Sequence, residues 1–128
     1  MVSRQRSGLE GSEPEHGGVG HRWRLHSAVS KEFASLREED VVKVLAEMAL
    51  VRRVGLGAAR HLTEDIYEAR VHVVDNSFRL LFCPEGGKGR ILLAVVLFAK
   101  HTQKTPRSAI ELAQQRRNQW RAQGQGSA

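Results

Sequence analysis

The amino-acid sequence predicts an α+β fold: a small antiparallel or mixed sheet of about four strands, with two N-terminal helices packed on one face and a C-terminal helix. Three observations predict it. Two alternating segments, residues 66–74 and 77–83, flank Asp75-Asn76 in the pattern of a β-hairpin. A continuous apolar run over residues 91–99 follows, as expected of a strand covered on both faces. Two helical patterns precede the hairpin, and a third follows Pro106.

Residues 1–20 have almost no apolar content and carry Gly8, Gly11, Pro14, Gly17, Gly18 and Gly20, so they are expected to be a disordered extension. The working domain is expected over residues 21–122, with a disordered tail at 123–128. His21-Arg22-Trp23-Arg24-Leu25-His26 alternates as a first strand. Ser30 is placed to cap a short helix to about Leu36, with Phe33 turned inward. Ser35-Leu36-Arg37-Glu38 matches a capping box for a second helix. In that helix Val41, Val44, Leu45, Met48 and Arg52 recur at helical spacing, and Gly55 and Gly57 end it.

The expected hairpin turns at Asp75-Asn76, pairing Val74 with Ser77, Val73 with Phe78, His72 with Arg79 and Val71 with Leu80. Tyr67, Ala69, Val71, Val73, Phe78, Leu80 and Phe82 then share the core face, and Glu68, Arg70, His72 and Arg79 share the other. A one-residue slip would bury charge. The loop Glu85-Gly86-Gly87-Lys88-Gly89 has the composition of a phosphate loop, but with no helix after it the reading is a turn. Ile110, Ala113 and Trp120 give the last helix a weak apolar stripe, with Trp120 as its anchor and Arg116, Arg117 and Arg121 as an exposed basic face.

At 128 residues and 41% hydrophobic content the chain suits one domain with one core. The longest apolar run is too short to span a bilayer, no secretory pattern opens the chain, and Cys83 is alone. These features predict a cytoplasmic protein with no membrane association and no metal site, since no Cys or His stands at ligand spacing to Cys83. The net charge of +6 is uneven. From Phe98 onward six Lys or Arg face one acid, Glu111, whereas residues 31–65 carry six bases and seven acids. A basic end on a balanced domain predicts an anionic partner, nucleic acid or acidic protein.

Four stretches resemble the HigB branch of the RelE-like toxins of type II toxin–antitoxin systems. They are Glu32-Phe33-Ala34-Ser35-Leu36, Ile66-Tyr67-Glu68-Ala69-Arg70, Phe78-Arg79-Leu80-Leu81-Phe82, and the run Phe98-Ala99-Lys100-His101-Thr102-Gln103-Lys104-Thr105-Pro106 with Ile110-Glu111-Leu112-Ala113 and Arg116 after it. The last is the most specific. The resemblance covers about residues 21–121 and implies a metal-independent, cofactor-free endoribonuclease that cuts mRNA in the ribosomal A site. It also implies a cognate antitoxin of helix-turn-helix type. By the same resemblance Arg70 and Arg79 are basic sheet residues that contact mRNA phosphates, and Lys100, His101 and Lys104 belong to the active segment.

Cleavage by the 2′-hydroxyl needs a base, cations around the phosphorane and an acid for the 5′-oxygen. Arginine holds phosphate bidentately, and histidine titrates near neutral pH. Arg79 is therefore expected to stabilise the phosphate, with His101 and Lys100 as proton-transfer groups. Arg70, His72, Lys104, Gln103, Arg116 and Arg117 are expected to bind RNA. The chain departs from relatives with a tyrosine or second histidine near the last strand or helix, since its one tyrosine is Tyr67. Plainer readings stand beside these: His72 as a surface side chain, Arg70 with Glu68 as a solvated pair, Lys100 and Lys104 as capping and solubilising groups. Two other functions are kept open, a gyrase-inhibiting toxin of the ParE type and a non-catalytic, decayed antitoxin-binding module.

Overall fold

The computed structural model describes residues 20–74, 76–100 and 104–124. The elements run β1 (Arg22–Leu25), α1 (Ser27–Ala34), α2 (Glu38–Val54), a 3-10 turn (Leu56–Ala58), β2 (Arg60–Thr63), β3 (Ile66–Val73), β4 (Asn76–Glu85), β5 (Ile91–Lys100) and α3 (Arg107–Ala122). The sheet is mixed, in the order β1-β5-β4-β3-β2, with β1 parallel to β5 and the other pairs antiparallel. The α+β class is as expected, with a fifth strand added. The extra strand, β2, is only Arg60-His61-Leu62-Thr63, too short to show a period of its own. Among the described residues no helix is long and apolar enough to cross a membrane. The expected disorder of residues 1–20 and 123–128 falls outside the described residues, except at Gly20, Gln123 and Gly124.

The sheet lies between two helical layers, and the alternation of the strands sorts its side chains. Ala69, Val71, Phe78, Leu80, Phe82, Leu92, Ala94 and Leu97 pack with Val29 of α1 and Val44, Met48 and Val51 of α2. On the other face Ile66, Leu81, Cys83, Leu93, Val95 and Val96 pack with Ala113 and the anchor Trp120 of α3. Trp23 donates its indole N–H to the Met48 carbonyl at 2.8 Å and packs edge-on against Phe82, tying β1 to α2 and to the core.

Several local expectations are corrected. α1 begins at Ser27, not Ser30, because the His26 ring Nδ1 accepts the Ala28 N–H at 3.0 Å and caps it. With Nδ1 accepting, neutral His26 carries its proton on Nε2 and donates to Gln119 Oε1 at 2.8 Å, tying α1 to α3. Ser35 closes α1 by donating to the Glu32 carbonyl at 2.7 Å instead of opening α2. Along α2 the inward line is Val44, Met48 and Val51, which leaves Leu45 exposed.

The hairpin register is also corrected. Val73 pairs with Asn76, His72 with Ser77, Val71 with Phe78 and Arg70 with Arg79. Val74 follows β3 as a turn residue, and residue 75 lies outside the described residues. The expected pairing is offset by two positions, which leaves every side chain on its own face. Alternation of period two rejects an odd slip but not an even one. The difference matters, because it sets Arg70 directly opposite Arg79.

A bulge in β5 has an equally specific effect. Leu81 pairs with Val96 and Phe82 with Ala94, so Val95 is an extra residue. Val95 and Val96 both join the α3-side cluster, and every residue beyond them changes face. Lys100 thereby comes onto the face of Arg70 and Arg79. β1 has ended by then, and side chains meet the open edge of β5. Glu32 of α1 accepts the Leu97 N–H at 2.9 Å, while Arg116 of α3 bonds both Glu32 and the Val95 carbonyl at 2.9 Å.

Arg117 is likewise turned inward, and the exposed Arg121 reaches back to the sheet. Arg117 pairs with Glu64 at 3.0 Å and with Asp65, and Arg121 pairs with Asp65 at 2.6 Å and with Glu85 at 2.5 Å. The expected exposed basic face of Arg116, Arg117 and Arg121 is therefore corrected at Arg116 and Arg117, which are largely buried, while Arg121 stays exposed as expected. All three are ion-paired and together form a clasp holding α3 to the sheet. Burial acts to raise the Asp65 carboxyl, but Arg121 and Arg117 outweigh it and hold it below the ordinary range. A depressed carboxyl adds stability above its unfolded value, about 3.9, that is lost as pH falls through the folded one. Asp65→Asn should lower stability at pH 7, and the gap to wild type should close in acid. Urea melts at pH 7 and about pH 2.5 check this, and an equal gap at both would contradict it.

Candidate anion-binding and active site

Three rows of side chains cross the α3-side face of the sheet where α3 does not cover it. Arg60 of β2 stands opposite Glu68 of β3, followed by Leu81 and Val96. The next row is Arg70, Arg79 and Phe98, and the last is His72, Ser77 and Lys100. Neighbouring strands lie about 4.8 Å apart, so the three rows form one compact patch. Four of the expected site residues, Arg70, His72, Arg79 and Lys100, are thus brought together. Lys104 and Thr105, just ahead of α3, close its rim.

The centre of the patch is Glu68. Like charges directly opposite across strands repel, and Arg70 faces Arg79. The Glu68 carboxylate lies between them. Arg70 donates its Nε–H to Oε1 at 2.7 Å, and Arg79 Nη1 lies 3.9 Å from Oε2. The Thr105 hydroxyl donates to that same Oε2 and accepts from Arg79 Nη1 at 3.3 Å. Burial, together with the Arg70 guanidinium, pulls Arg79 below its ordinary range, with Glu68 opposing and Arg60 adding to the pull.

Burial separates the roles of the two arginines. Side-chain exposure is 2% for Arg79 but 18% for Arg70. Arg79 is packed behind Glu68 and Thr105, where it orients the carboxylate and the segment entering α3. Arg70 is the guanidinium within reach of solvent. Around it Arg60, His72 and Lys104 are exposed and Lys100 is partly so. A cavity of about 460 Å³ opens beside this patch, lined by Arg60, Leu62, Lys104, Thr105 and Ile110. One buried carboxylate among this many cations leaves the surface strongly positive, with arginine and lysine donors for an anion and imidazole for proton transfer.

His101 and Gln103, expected in the active segment, lie outside the described residues. Arg116 and Arg117 are drawn off to the clasp of α3. Sequence reasoning took Glu68 for one half of a solvated pair and left Thr105 without a role. The signal for Glu68 was present: an acid two residues from Arg70 on a strand shares its face, which otherwise carries Arg79 and His72. Cys83 is no nucleophile, because burial, helped by Glu85, pushes its thiol far above the ordinary range.

A helix-sheet-helix sandwich whose uncovered sheet face carries arginines and lysines around one carboxylate defines a small α+β protein with a cationic surface patch, a chemistry suited to an anion. Comparison with known proteins gives the family. Residues 31–118 match the family described as Phage derived protein Gp49-like (DUF891), and the chain belongs to it. Over 93 residues it is 34% identical to the "Probable endoribonuclease HigB1" of two Mycobacterium tuberculosis strains, covering 71% of this chain and 72% of the relatives. The archaeal RelE–RelB complex from Pyrococcus horikoshii aligns at a TM-score of 0.45 and 17% identity, over 61% of this chain and 92% of that one. The HigB-like toxins to which the four sequence stretches pointed are the relatives found.

Proposed function

We propose that this chain is the toxin of a type II toxin–antitoxin pair, an endoribonuclease that cleaves translated mRNA without a metal ion. The observation that carries the reading is the patch of Arg70, Arg79, His72 and Lys100 around Glu68, in a chain related to proteins named as endoribonucleases. The ribosome presents the mRNA, a helix-turn-helix antitoxin silences the protein, and both toxin and target are cytoplasmic. Residues 21–122 are the working domain.

In this mechanism Arg70 and Lys104 hold the scissile phosphate and meet the charge that grows on the phosphorane. A neutral histidine, His72 or His101, takes the 2′-hydroxyl proton as that oxygen attacks phosphorus. Lys100 or a protonated histidine gives a proton to the departing 5′-oxygen, leaving a 2′,3′-cyclic phosphate and a 5′-hydroxyl. Arg79 acts from behind, by fixing Glu68 and Thr105. This revises the expectation that Arg79 itself grips the phosphate.

Controlled expression in a bacterial host lacking an antitoxin, with mapping of new mRNA 5′ ends, tests the proposal. New ends inside translated frames, carrying 5′-hydroxyls, are expected. Growth arrest without new ends would favour the gyrase-inhibiting alternative, and normal growth without new ends a non-catalytic module.

A further inference from the structure

The patch around Glu68 is not the one place where cationic side chains gather on the protein. Arg37, Arg70, Arg79, Arg107, Arg116, Arg117 and Arg121 are each paired with a carboxylate. At the far end of the sheet Arg22, Arg24, Lys88 and Arg90 are exposed, and among the described residues they make no ion pair.

These four side chains are brought together by the parallel pairing of β1 with β5. Arg22 pairs with Ile91 and its N–H bonds the Arg90 carbonyl at 3.0 Å, so the start of the edge strand lies against the β4–β5 turn. Trp23 packs into the core on the α1–α2 side, which puts Arg22 and Arg24 together on the opposite face of β1. The turn is tight because Gly86 and Gly89 take left-handed backbone angles, φ +86° and +66°. Between turn and strand opens a cavity of about 390 Å³ lined by Arg22, Lys88 and Arg90 with Gly20, Gly86 and Gly87. The one carboxylate in its wall, Glu85, is already held by Arg121 at 2.5–3.0 Å. The turn that read as a phosphate loop in composition only is therefore one wall of a cationic cleft.

We propose that Arg22, Arg24, Lys88 and Arg90 form a second RNA site, which takes the phosphodiester backbone away from the point of cleavage. This rests on the reading of the protein as an RNA-cutting enzyme. β5 runs from the cleft at Ile91 to the catalytic patch at Lys100, about 30 Å at ~3.3 Å per residue. A strand bound at both ends is held in one direction across the sheet. Arginine suits phosphodiester by bidentate bonding, and exposed cations bind a polyanion by releasing its counterions. A phosphodiester strand fits the cleft better than an acidic protein, because the cavity offers charge and small residues and only Ile91 as an apolar lining side chain.

The test is binding of a fluorescently labelled 30-nucleotide single-stranded RNA across a salt series, read by anisotropy. Wild type is compared with the variant combining Arg22→Ala, Arg24→Ala, Lys88→Ala and Arg90→Ala. Four lost phosphate contacts at about 0.7 each should reduce the salt slope by about 3 and weaken binding about tenfold or more. Because all four are exposed, circular dichroism and melting temperature should be unchanged. The double variant Arg70→Ala with Lys104→Ala, at the other end of the sheet, should keep the salt contribution of the cleft. Wild-type affinity and slope in the fourfold variant would overturn the second site while leaving the enzyme reading intact. Loss of binding to polyglutamate with RNA binding unchanged would assign the cleft to an acidic protein instead. If wild type binds no free RNA, the second site falls, while the enzyme reading, in which the ribosome presents the mRNA, stands or falls on the mapping of new mRNA 5′ ends.

Discussion

Glu68→Ala is expected to lower folding stability by about 3–5 kcal/mol, the range for removing one partner of a buried ion pair. The carboxylate is buried to within 1% and lies between two guanidiniums that face each other across β3 and β4. Without it Arg70 and Arg79 repel, the Thr105 hydroxyl loses its acceptor, and the charge on Arg79 stays in a low-dielectric site. Glu68→Gln, which keeps an acceptor but not the charge, should fall between the two. The control is the double variant Glu68→Leu with Arg79→Met. Taking out both charges should cost much less than Glu68→Ala alone, because the unpaired ion is the expensive species. Urea denaturation of the four proteins measures this. A loss below about 1 kcal/mol for Glu68→Ala would mean that the carboxylate is not the centre of the site.

Arg70→Ala should lower the cleavage rate about 10²–10³-fold, the usual effect of losing one donor to a transition-state oxyanion. Arg70 is the guanidinium of the pair within reach of solvent, beside Lys104, Arg60 and His72. Arg70→Lys should recover little, since an ammonium cannot make two parallel bonds to a phosphate. Single-turnover cleavage of translated mRNA gives the rate, and a melt of the same preparation shows that the loss is chemical. A rate within threefold of wild type would take Arg70 out of the catalytic set. Arg79→Ala should behave differently, losing stability and activity together, because Arg79 is packed inside.

The sequence showed which faces of the strands meet the core, and it did so through alternation. Ala69, Val71, Phe78, Leu80 and Phe82 are buried where their spacing put them, and Arg70, Arg79 and His72 share the opposite face. It also carried the family, through short strings such as Phe98-Ala99-Lys100 and Gln103-Lys104-Thr105-Pro106. Some residues of the strings that carry the family resemblance hold the fold. Glu32, in the first of the four stretches, and Arg116, after the last, meet at the open edge of β5. Their separation of 84 residues hides that contact from any local reading.

By itself, then, the sequence determined the α+β class, the two-faced sheet, the basic end of the chain and the family to which it belongs. Those follow from local periodicity and composition, which each segment carries alone. The tertiary structure decided which cations are available and where they point. An even slip in the hairpin satisfies alternation equally well, yet only the observed one sets Arg70 against Arg79 with Glu68 between them. One extra residue in β5 turns Lys100 onto that face. The pairing of Arg116, Arg117 and Arg121 with distant acids removes charge that a count along the chain would assign to RNA. Charge neutralisation is a matter of distance in space, and sequence spacing does not carry it.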